Sequence, residues 1–223
     1  MEANWTANPQ LAVQIVPTCK KSMKVALIKY NAGNVQSVSY ALERLGVEAE
    51  LTDDPDKIST ADRVIFPGQG EASSAMAYLK ERNLDQVIRD VKQPFLGVCL
   101  GLQLLCTHSE ENNTPCLGIF PQLVKRFIPS ESGQEKVPHV GWNSIENLVG
   151  NPLLKDLPDA KHLYYVHSYY ATLGEGTLAT THYIQDFTAI LHRANYWAIQ
   201  AHPEKSSTLG EKLLENFLAL PST

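Results

Sequence analysis

The chain has 223 residues and a formal net charge of −5, with 43% hydrophobic and 19% charged residues. This length and composition are ordinary for a globular domain that buries a substantial core. The negative charge argues against a surface that binds nucleic acid or anionic membranes, and no apolar run approaches the roughly 18 residues that span a bilayer.

The first 22 residues differ from the rest of the chain because they show no clear hydrophobic period. Their apolar stretch, 11–16, is too short and too weakly flanked for a secretory signal. We expect residues 1–22 to be an N-terminal extension, from an upstream start or from a segment added for expression. Residues 23–223 are expected to form the domain.

The first half of this domain alternates compact apolar strands with stripes of apolar residues at helical spacing. Strands are predicted at 24–28, 47–51, 63–66 and 94–98, and Gly46 is suited to end the first helix. This alternation is typical of a parallel sheet covered by helices on both faces. In such sheets, reactive groups collect at the carboxyl ends of the strands.

The second half is richer in β segments and ends in a helix, predicted over 208–218. The predicted β segments are 117–128, 137–145, 162–170, 177–182 and 187–191. We find no internal repeat, low-complexity tract or linker in the sequence. The prediction is therefore a single α/β domain with a mainly parallel central sheet, helices on both faces and extra β segments in the second half.

Cys99 stands between a predicted strand and a helical segment, in the run Gly97-Val98-Cys99-Leu100-Gly101. Glycines two residues before and after a nucleophile permit the sharp strand-to-helix turn of a nucleophile elbow. This turn would present the sulfur at a helix N-terminus, which favours the reactive thiolate, and would aim the Leu100 N–H at a developing oxyanion. A buried cysteine in a plain glycine-flanked turn is the alternative.

His202 is the candidate base for this cysteine. It follows a predicted strand at 196–199, and Pro203 favours an extended backbone at His202. Glu204 lies two positions further on, where its carboxylate can bend back to orient the imidazole. The His-Pro-Glu run alone favours a solvated turn, and only the glycine-flanked cysteine favours a catalytic interpretation.

These two motifs resemble those of the class I (triad) glutamine amidotransferases, in the family's order, and the resemblance covers about residues 23–218. Further runs resemble the glutaminase subunits of imidazole glycerol phosphate synthase, an enzyme of histidine biosynthesis. These runs are 30–38, 66–71, 136–143 and 164–169. The resemblance implies a flavodoxin-like fold and the hydrolysis of glutamine to glutamate and ammonia.

The resemblance also implies roles for the reacting groups. Cys99 would attack the side-chain amide carbon of glutamine, His202 would transfer protons, and Glu204 would support the imidazolium. The N–H groups of Leu100 and of the Gly68-Gln69-Gly70 loop, chiefly Gln69, would stabilise the oxyanion after the loop flips. Gln69 stands where the family usually has another residue, which leaves its backbone role intact.

The head group of glutamine is expected to contact Gly68, Gln103, Ser168 and Tyr169, again as the resemblance implies. Gln103 lies one helical turn beyond Cys99, on the same side of the helix. From the sequence alone, a solvated helix position is favoured for Gln103, and the segment 167–169 is equally the end of an alternating strand.

A partner is implied as well: a cyclase subunit with a (β/α)8 barrel, docked over the glutaminase site and receiving its ammonia. The implied interface positions are Asn34, Trp142, Asn143, Tyr164 and Lys205. An exposed tryptophan suits an interface anchor, and a place in the core is the alternative for Trp142. No cofactor and no metal is expected.

The remaining cysteines and histidines are assigned no chemistry. No cysteine has zinc-like spacing, and a free nucleophilic thiol favours a reducing cytoplasm. Cys106 is expected to pack in the core, where a redox role is the alternative. We expect structural or exposed positions for His139, His162, His182 and His192.

Two other functions compete with this one. The chain could be the glutaminase of another ammonia-channelling synthase, such as that of pyridoxal phosphate synthesis, although that relative is not expected to carry the His-Val-Gly-Trp-Asn run. It could also be a non-catalytic regulatory module with a redox cysteine. A sequence that lacked His202 and Glu204 would favour such a module, but both residues are present.

Overall fold

The computed structural model describes residues 23–31, 35–129 and 135–221. The predicted N-terminal extension, residues 1–22, and the predicted interface residue Asn34 lie outside this part of the chain. No helix within the described ranges is both long enough and apolar enough to cross a membrane.

Strands and helices alternate in the first half, and strands dominate the second. The strands are β1 (Val25–Ile28), β2 (Ala49–Thr52), β3 (Arg63–Phe66), β4 (Phe95–Val98), β5 (His108–Ser109), β6 (Thr114–Pro115), β7 (Leu123–Arg126), β8 (His139–Ser144), β9 (His162–His167), β10 (Tyr169–Ala171), β11 (Thr177–Tyr183), β12 (Gln185–Arg193) and β13 (Tyr196–Ile199). The α-helices are α1 (Gln36–Arg44), α2 (Pro55–Thr60), α3 (Ala72–Glu81), α4 (Leu84–Asp90), α5 (Leu100–Leu105) and α6 (Ser207–Leu218).

The central sheet has seven strands in the order β11-β12-β13-β4-β3-β1-β2. From β13 to β2 the strands run parallel, and β12 and β11 continue the sheet antiparallel. The predicted mainly parallel sheet is therefore confirmed. Because β4 and β13 are parallel neighbours, the residues that follow them emerge side by side at one edge of the sheet.

Helices cover both faces of this sheet, as predicted, and each face has its own apolar core. Helices α1 and α6 pack on one face through Val38, Leu42, Leu213 and Phe217. The other four helices pack on the opposite face through Ile58, Leu79, Ile88 and Leu102. All eight side chains are almost completely excluded from solvent, which is where most of the stability of such a fold originates.

The extra β segments of the second half form two smaller sheets beside the central one. Strands β8 and β9 pair antiparallel, with Trp142 opposite Tyr164, and the other sheet has the order β10-β7-β5-β6. The predicted segment 117–128 is a strand only over Leu123–Arg126. Gly118 interrupts it with a φ of 71°, and Pro121 lacks the N–H that a strand ladder needs.

Further local features differ from the sequence prediction. The predicted segment 162–170 is divided at Ser168 into β9 and β10, which belong to different sheets. Helix α2 was not predicted, because its six residues include one buried side chain, Ile58, and therefore show little hydrophobic periodicity. The carboxylate of Asp54 caps this helix by accepting the Asp56 N–H at 2.9 Å. Strand β2 begins later than predicted because the N–H of Val47 still bonds Leu42 O, at 3.0 Å, in the end of α1.

Candidate active site

Cys99 occupies a strained turn between β4 and α5. Its φ of 49° and ψ of −105° lie where a residue with a side chain rarely sits. The neighbouring glycines make the turn possible: a Cβ on Gly97 would lie 2.9 Å from the backbone of Gly101. A Cβ on Gly101 would lie 2.3 Å from the carbonyl oxygen of Phe66. The turn therefore has the sharp geometry that the glycine pattern predicts.

The structure brings Cys99, His202 and Glu204 together. The Nδ1–H of His202 donates to Glu204 Oε1 over 2.8 Å, and these two side chains are only 2% and 4% exposed. Because Nδ1 faces the carboxylate, Nε2 is the nitrogen available to Cys99, which lines the same cavity. The solvated-turn alternative for His-Pro-Glu is wrong, since both side chains are buried.

The charges around His202 favour its protonated form. Burial lowers the pKa of His202, but the charge of the Cys99 thiolate, its hydrogen bond to the ring, and Glu204 together raise that pKa well above the usual 6.5. A protonated imidazole between Cys99 and a carboxylate is thus favoured, which suits proton donation by the ring.

A cavity of about 520 Å³ opens over this cluster. Several predicted site residues line it together with Cys99 and His202, namely Gly68, Gln69, Gly70, Leu100, Gln103, Tyr164, Ser168, Tyr169 and Lys205. Glu204 lies behind His202 and is not part of the lining. Among the described residues, no group of three or more His, Cys, Asp or Glu side chains could hold a metal ion.

The loop after β3 lies directly against the cysteine turn. A Cβ on Gly68 would come within 1.8 Å of Val98 O and 2.4 Å of Leu100 N, so only glycine fits. The Gln69 N–H, the expected oxyanion donor, here donates to the hydroxyl of Tyr30 at 3.2 Å. That hydroxyl in turn donates to Pro67 O at 2.8 Å. In this conformation the Gln69 N–H is thus already hydrogen-bonded to the Tyr30 hydroxyl.

Gln103 is buried, with 4% exposure, so the solvated-helix alternative is wrong. Its Nε2 donates to Tyr169 O at 2.8 Å and to Gln200 Oε1 at 3.3 Å. Ser168 lies between β9 and β10, and its carbonyl accepts the N–H of Phe127 at 3.0 Å. The junction between these strands, rather than a free strand end, forms one wall of the cavity.

The predicted interface residues divide into two groups. Tyr164 and Lys205 line the cavity, whereas Trp142 and Asn143 lie on β8, outside its lining. Trp142 is 54% exposed and contacts Tyr164 edge-to-face at 6.0 Å between ring centroids. The core alternative for Trp142 is therefore wrong. Val140 and Val166 add further exposed apolar surface to the same two strands.

Two residues at this site were not singled out from the sequence: Tyr30, which holds the loop, and Gln200, whose amide contacts Cys99. Gln200 Nε2 lies 3.7 Å from Cys99 Sγ. A signal for Gln200 existed, because it directly follows β13, two residues before His202. Tyr30 follows β1, which is the sheet neighbour of β3, and that adjacency appears only once the strand order is known.

The other histidines occupy structural or exposed positions, as predicted. His139 does have a partner, since its Nδ1 lies 3.1 Å from Nε2 of buried His167. His182 is exposed and pairs with Asp186, and His192 stacks on Trp197. His162 is exposed at the start of β9.

Cys106 and Cys116 are buried free thiols, consistent with the predicted core position of Cys106. Burial raises the pKa of both thiols, that of Cys116 to about 11, so neither is readily ionised near neutral pH. Cys19 lies outside the described residues.

Comparisons with known proteins agree with this geometry. The sequence model described as glutamine amidotransferase class-I matches residues 26–220. The imidazole glycerol phosphate synthase subunit HisH of Bacteroides fragilis is 54% identical over 198 residues, covering 89% of this chain and 100% of the relative. The subunit of the same name from Vibrio parahaemolyticus is 40% identical over 203 residues, covering 88% and 98%.

Solved structures show the same fold. A putative GMP synthase subunit from Thermoplasma acidophilum has a TM-score of 0.65 at 18% identity, covering 88% of this chain and 92% of that one. A glutamine amidotransferase from Thermotoga maritima has a TM-score of 0.60 at 17% identity, covering 88% and 82%. The chain therefore belongs to the class I glutamine amidotransferases and, within them, to the family of HisH subunits of imidazole glycerol phosphate synthase.

The raised pKa of His202 predicts how Glu204→Gln changes stability with pH. A raised folded-state pKa contributes stability that is fully present below the unfolded value of 6.5 and is lost as the pH rises through the folded value. Removing the carboxylate therefore lowers the free energy of unfolding most at about pH 6 and least at about pH 10. Urea unfolding of both proteins across this range measures the difference.

Asp186→Asn is the matched control, because Asp186 also bonds a histidine Nδ1, that of His182, at 2.6 Å. This second pair is exposed and screened by solvent, so its removal is expected to change stability little at any pH. If Glu204→Gln lowers the free energy of unfolding equally at all pH values, the protonated state assigned to His202 is contradicted.

Proposed function

We propose that this chain hydrolyses glutamine to glutamate and ammonia, with Cys99 as nucleophile. The observation that carries the proposal is the strained Cys99 turn, which lines the same cavity as the imidazole that Glu204 orients. A strained nucleophile backbone is costly, and such conformations cluster at reacting sites. The family to which the chain belongs supports the same reaction.

In the first half-reaction, the Cys99 thiolate attacks the side-chain amide carbon of glutamine. The protonated His202 then donates its Nε2 proton to the departing nitrogen, ammonia leaves, and a γ-glutamyl thioester remains on Cys99. Glu204 keeps the ring oriented and stabilises its positive charge before the transfer. This sequence begins from the charge state that the surroundings of His202 favour.

In the second half-reaction, water attacks the thioester carbonyl while neutral His202 accepts a proton from that water. Collapse of the tetrahedral intermediate expels the Cys99 thiolate and releases glutamate, and the thiolate–imidazolium pair is restored. Every step uses groups of this chain, glutamine and water, so the mechanism calls for no cofactor or metal.

The tetrahedral oxygen is stabilised in both half-reactions by backbone N–H groups. The N–H of Leu100 stands at the first turn of α5, where the helix dipole favours negative charge. The Gln69 N–H becomes the second donor when it leaves the hydroxyl of Tyr30 and turns toward the cavity. Removing one such donor raises a barrier by about 2.7–4 kcal/mol, so basal hydrolysis is slow while Gln69 remains bonded to Tyr30.

The α-amino and α-carboxylate groups of glutamine bind between Gly68, Gln103 and the Ser168-Tyr169 wall. Both donor contacts of the Gln103 amide go to protein acceptors, so its Oε1 is the atom that can accept from the α-ammonium group. This role explains why a glutamine is buried at the cavity wall.

The ammonia passes to a cyclase subunit with a (β/α)8 barrel, which uses it in histidine biosynthesis in the cytoplasm. The relatives' names, each a subunit of imidazole glycerol phosphate synthase, support such a partner. The partner covers the mouth of the cavity at Tyr164 and Lys205 and contacts Trp142 and Asn143 on β8. Enclosure keeps ammonia away from bulk water, where it would be protonated and diluted.

Replacing Cys99 with alanine is expected to lower glutamate release by at least about 10³-fold, because no other group in the cavity can form the thioester. The measurement is enzymatic assay of glutamate released from glutamine by the complex with the cyclase subunit. Cys106→Ala is the control, since this buried thiol lies outside the cavity lining and its removal leaves the activity intact. Unchanged release by Cys99→Ala would refute the proposed nucleophile.

Trp142→Ala is expected to weaken binding of the cyclase subunit on the order of 30-fold, because exposed tryptophans anchor interfaces. The measurement is titration calorimetry, together with stimulation of glutamate release by the cyclase and its nucleotide substrate. Leu51→Ala is the control, because Leu51 is an exposed apolar residue on β2, at the far edge of the central sheet. If the two variants bind the cyclase subunit with equal affinity, β8 is not part of the interface.

A further inference from the structure

Gln200 is completely buried and lies between the nucleophile and the wall of the cavity. Its Nε2 is 3.7 Å from Cys99 Sγ, and its Oε1 accepts from Gln103 Nε2 at 3.3 Å. Its own backbone N–H bonds Ala189 O at 2.8 Å, which anchors the residue to the neighbouring strand β12. The side chain is thus held at both ends of its amide and at its backbone.

The direction of the Gln200 amide follows from its neighbours. The carbonyl oxygen of Tyr169 only accepts hydrogen bonds, so the group of Gln103 that lies 2.8 Å from it is the donor, Nε2. The same Nε2 also donates to Gln200, so Gln200 presents Oε1 to Gln103. Its Nε2–H is therefore the group that faces the sulfur of Cys99.

The Tyr169 carbonyl that fixes this direction is itself held. It also accepts the Nδ1–H of His167, at 2.8 Å, so two donors converge on one oxygen. His167 is buried and its pKa is lowered, chiefly by burial, to about 3; its ring is therefore neutral at physiological pH. From Gln103 onward the hydrogen bonds run in one direction, from Gln103 Nε2 to Gln200 Oε1 and from Gln200 Nε2 to Cys99 Sγ.

We propose that Gln200 is a further catalytic residue, which donates its Nε2–H to the Cys99 thiolate and holds Gln103 in the orientation that binds substrate. This inference rests on the proposed glutamine hydrolysis. Cys99 is 7% exposed, so water offers its sulfur little compensation. A hydrogen bond to a charged acceptor is stronger than one between neutral groups, which makes a buried amide N–H an effective donor to thiolate.

Two consequences follow, one for each end of the amide. Loss of the Nε2–H removes a donor from the thiolate, so a higher pH is needed to ionise the nucleophile. Loss of the Oε1 acceptor frees one contact of Gln103, so the head-group pocket loses its fixed geometry and KM rises. A purely structural glutamine would give neither effect.

The test is the pH dependence of Cys99 alkylation by iodoacetamide, followed on the Cys99 peptide by mass spectrometry, in wild type and Gln200→Met. Methionine keeps the length of the side chain and removes both the donor and the oxygen acceptor. We expect the midpoint of the alkylation profile to rise by about one pH unit. In the complex with the cyclase subunit, we expect kcat/KM for glutamine to fall about tenfold, with changes in both kcat and KM.

Gln122→Met is the matched control, because Gln122 is 3% exposed, donates to Glu175 O at 2.7 Å and does not line the cavity. The alkylation profile and the kinetic constants of this variant are expected to match those of wild type. Gln200→Glu provides a second variant of the same shape; its added negative charge raises the alkylation midpoint at least as far as methionine does.

An alkylation midpoint that is unchanged in both Gln200 variants overturns the inference, as does a shifted midpoint with unchanged kcat and KM. Alkylation needs neither glutamine turnover nor the partner, so it reads the Gln200–Cys99 contact separately from the reaction. Absence of glutamate release from the wild-type complex would instead overturn the proposed function.

Discussion

The backbone strain at Cys99 is the constraint on which the rest of the site depends. The turn places a residue with a side chain at positive φ, and it exists only because three close approaches are made by glycines. Gly97 and Gly101 let α5 pack against the ends of β3 and β4, and Gly68 lets the next loop lie on the turn. The apolar packing on both faces of the sheet holds this strained segment in place.

The order of the strands then determines which groups can meet the sulfur. Strands β4 and β13 are parallel neighbours, with Val98 opposite Ile199. Cys99 directly follows β4, and Gln200 and His202 follow β13. These three residues therefore lie at the same edge of the sheet. The loop after β3 arrives on the other side of β4. One sheet edge thus collects the nucleophile, its base, an amide donor and the oxyanion loop.

The sequence predicted the parts of this arrangement that depend on local pattern. Glycines around Cys99, Pro203 after His202 and the apolar strands of the first half each act through their own neighbours, so their consequences are visible without a fold. The position of Gln200 after β13 was visible in the same way, but its role was not, because the direction of its amide depends on Gln103 and on a carbonyl far along the chain. Helix α2 escaped prediction for a simpler reason, its short length and single buried side chain.

Capture of the covalent intermediate tests the role of the strained Cys99 turn most directly. The wild-type complex is mixed with glutamine, quenched in acid within the first turnovers, digested and analysed by mass spectrometry. We predict a γ-glutamyl adduct on the peptide that contains Cys99, labile to hydroxylamine as a thioester is. Glutamate release without any adduct on Cys99, or with an adduct on another residue, would contradict the role assigned to the strained turn.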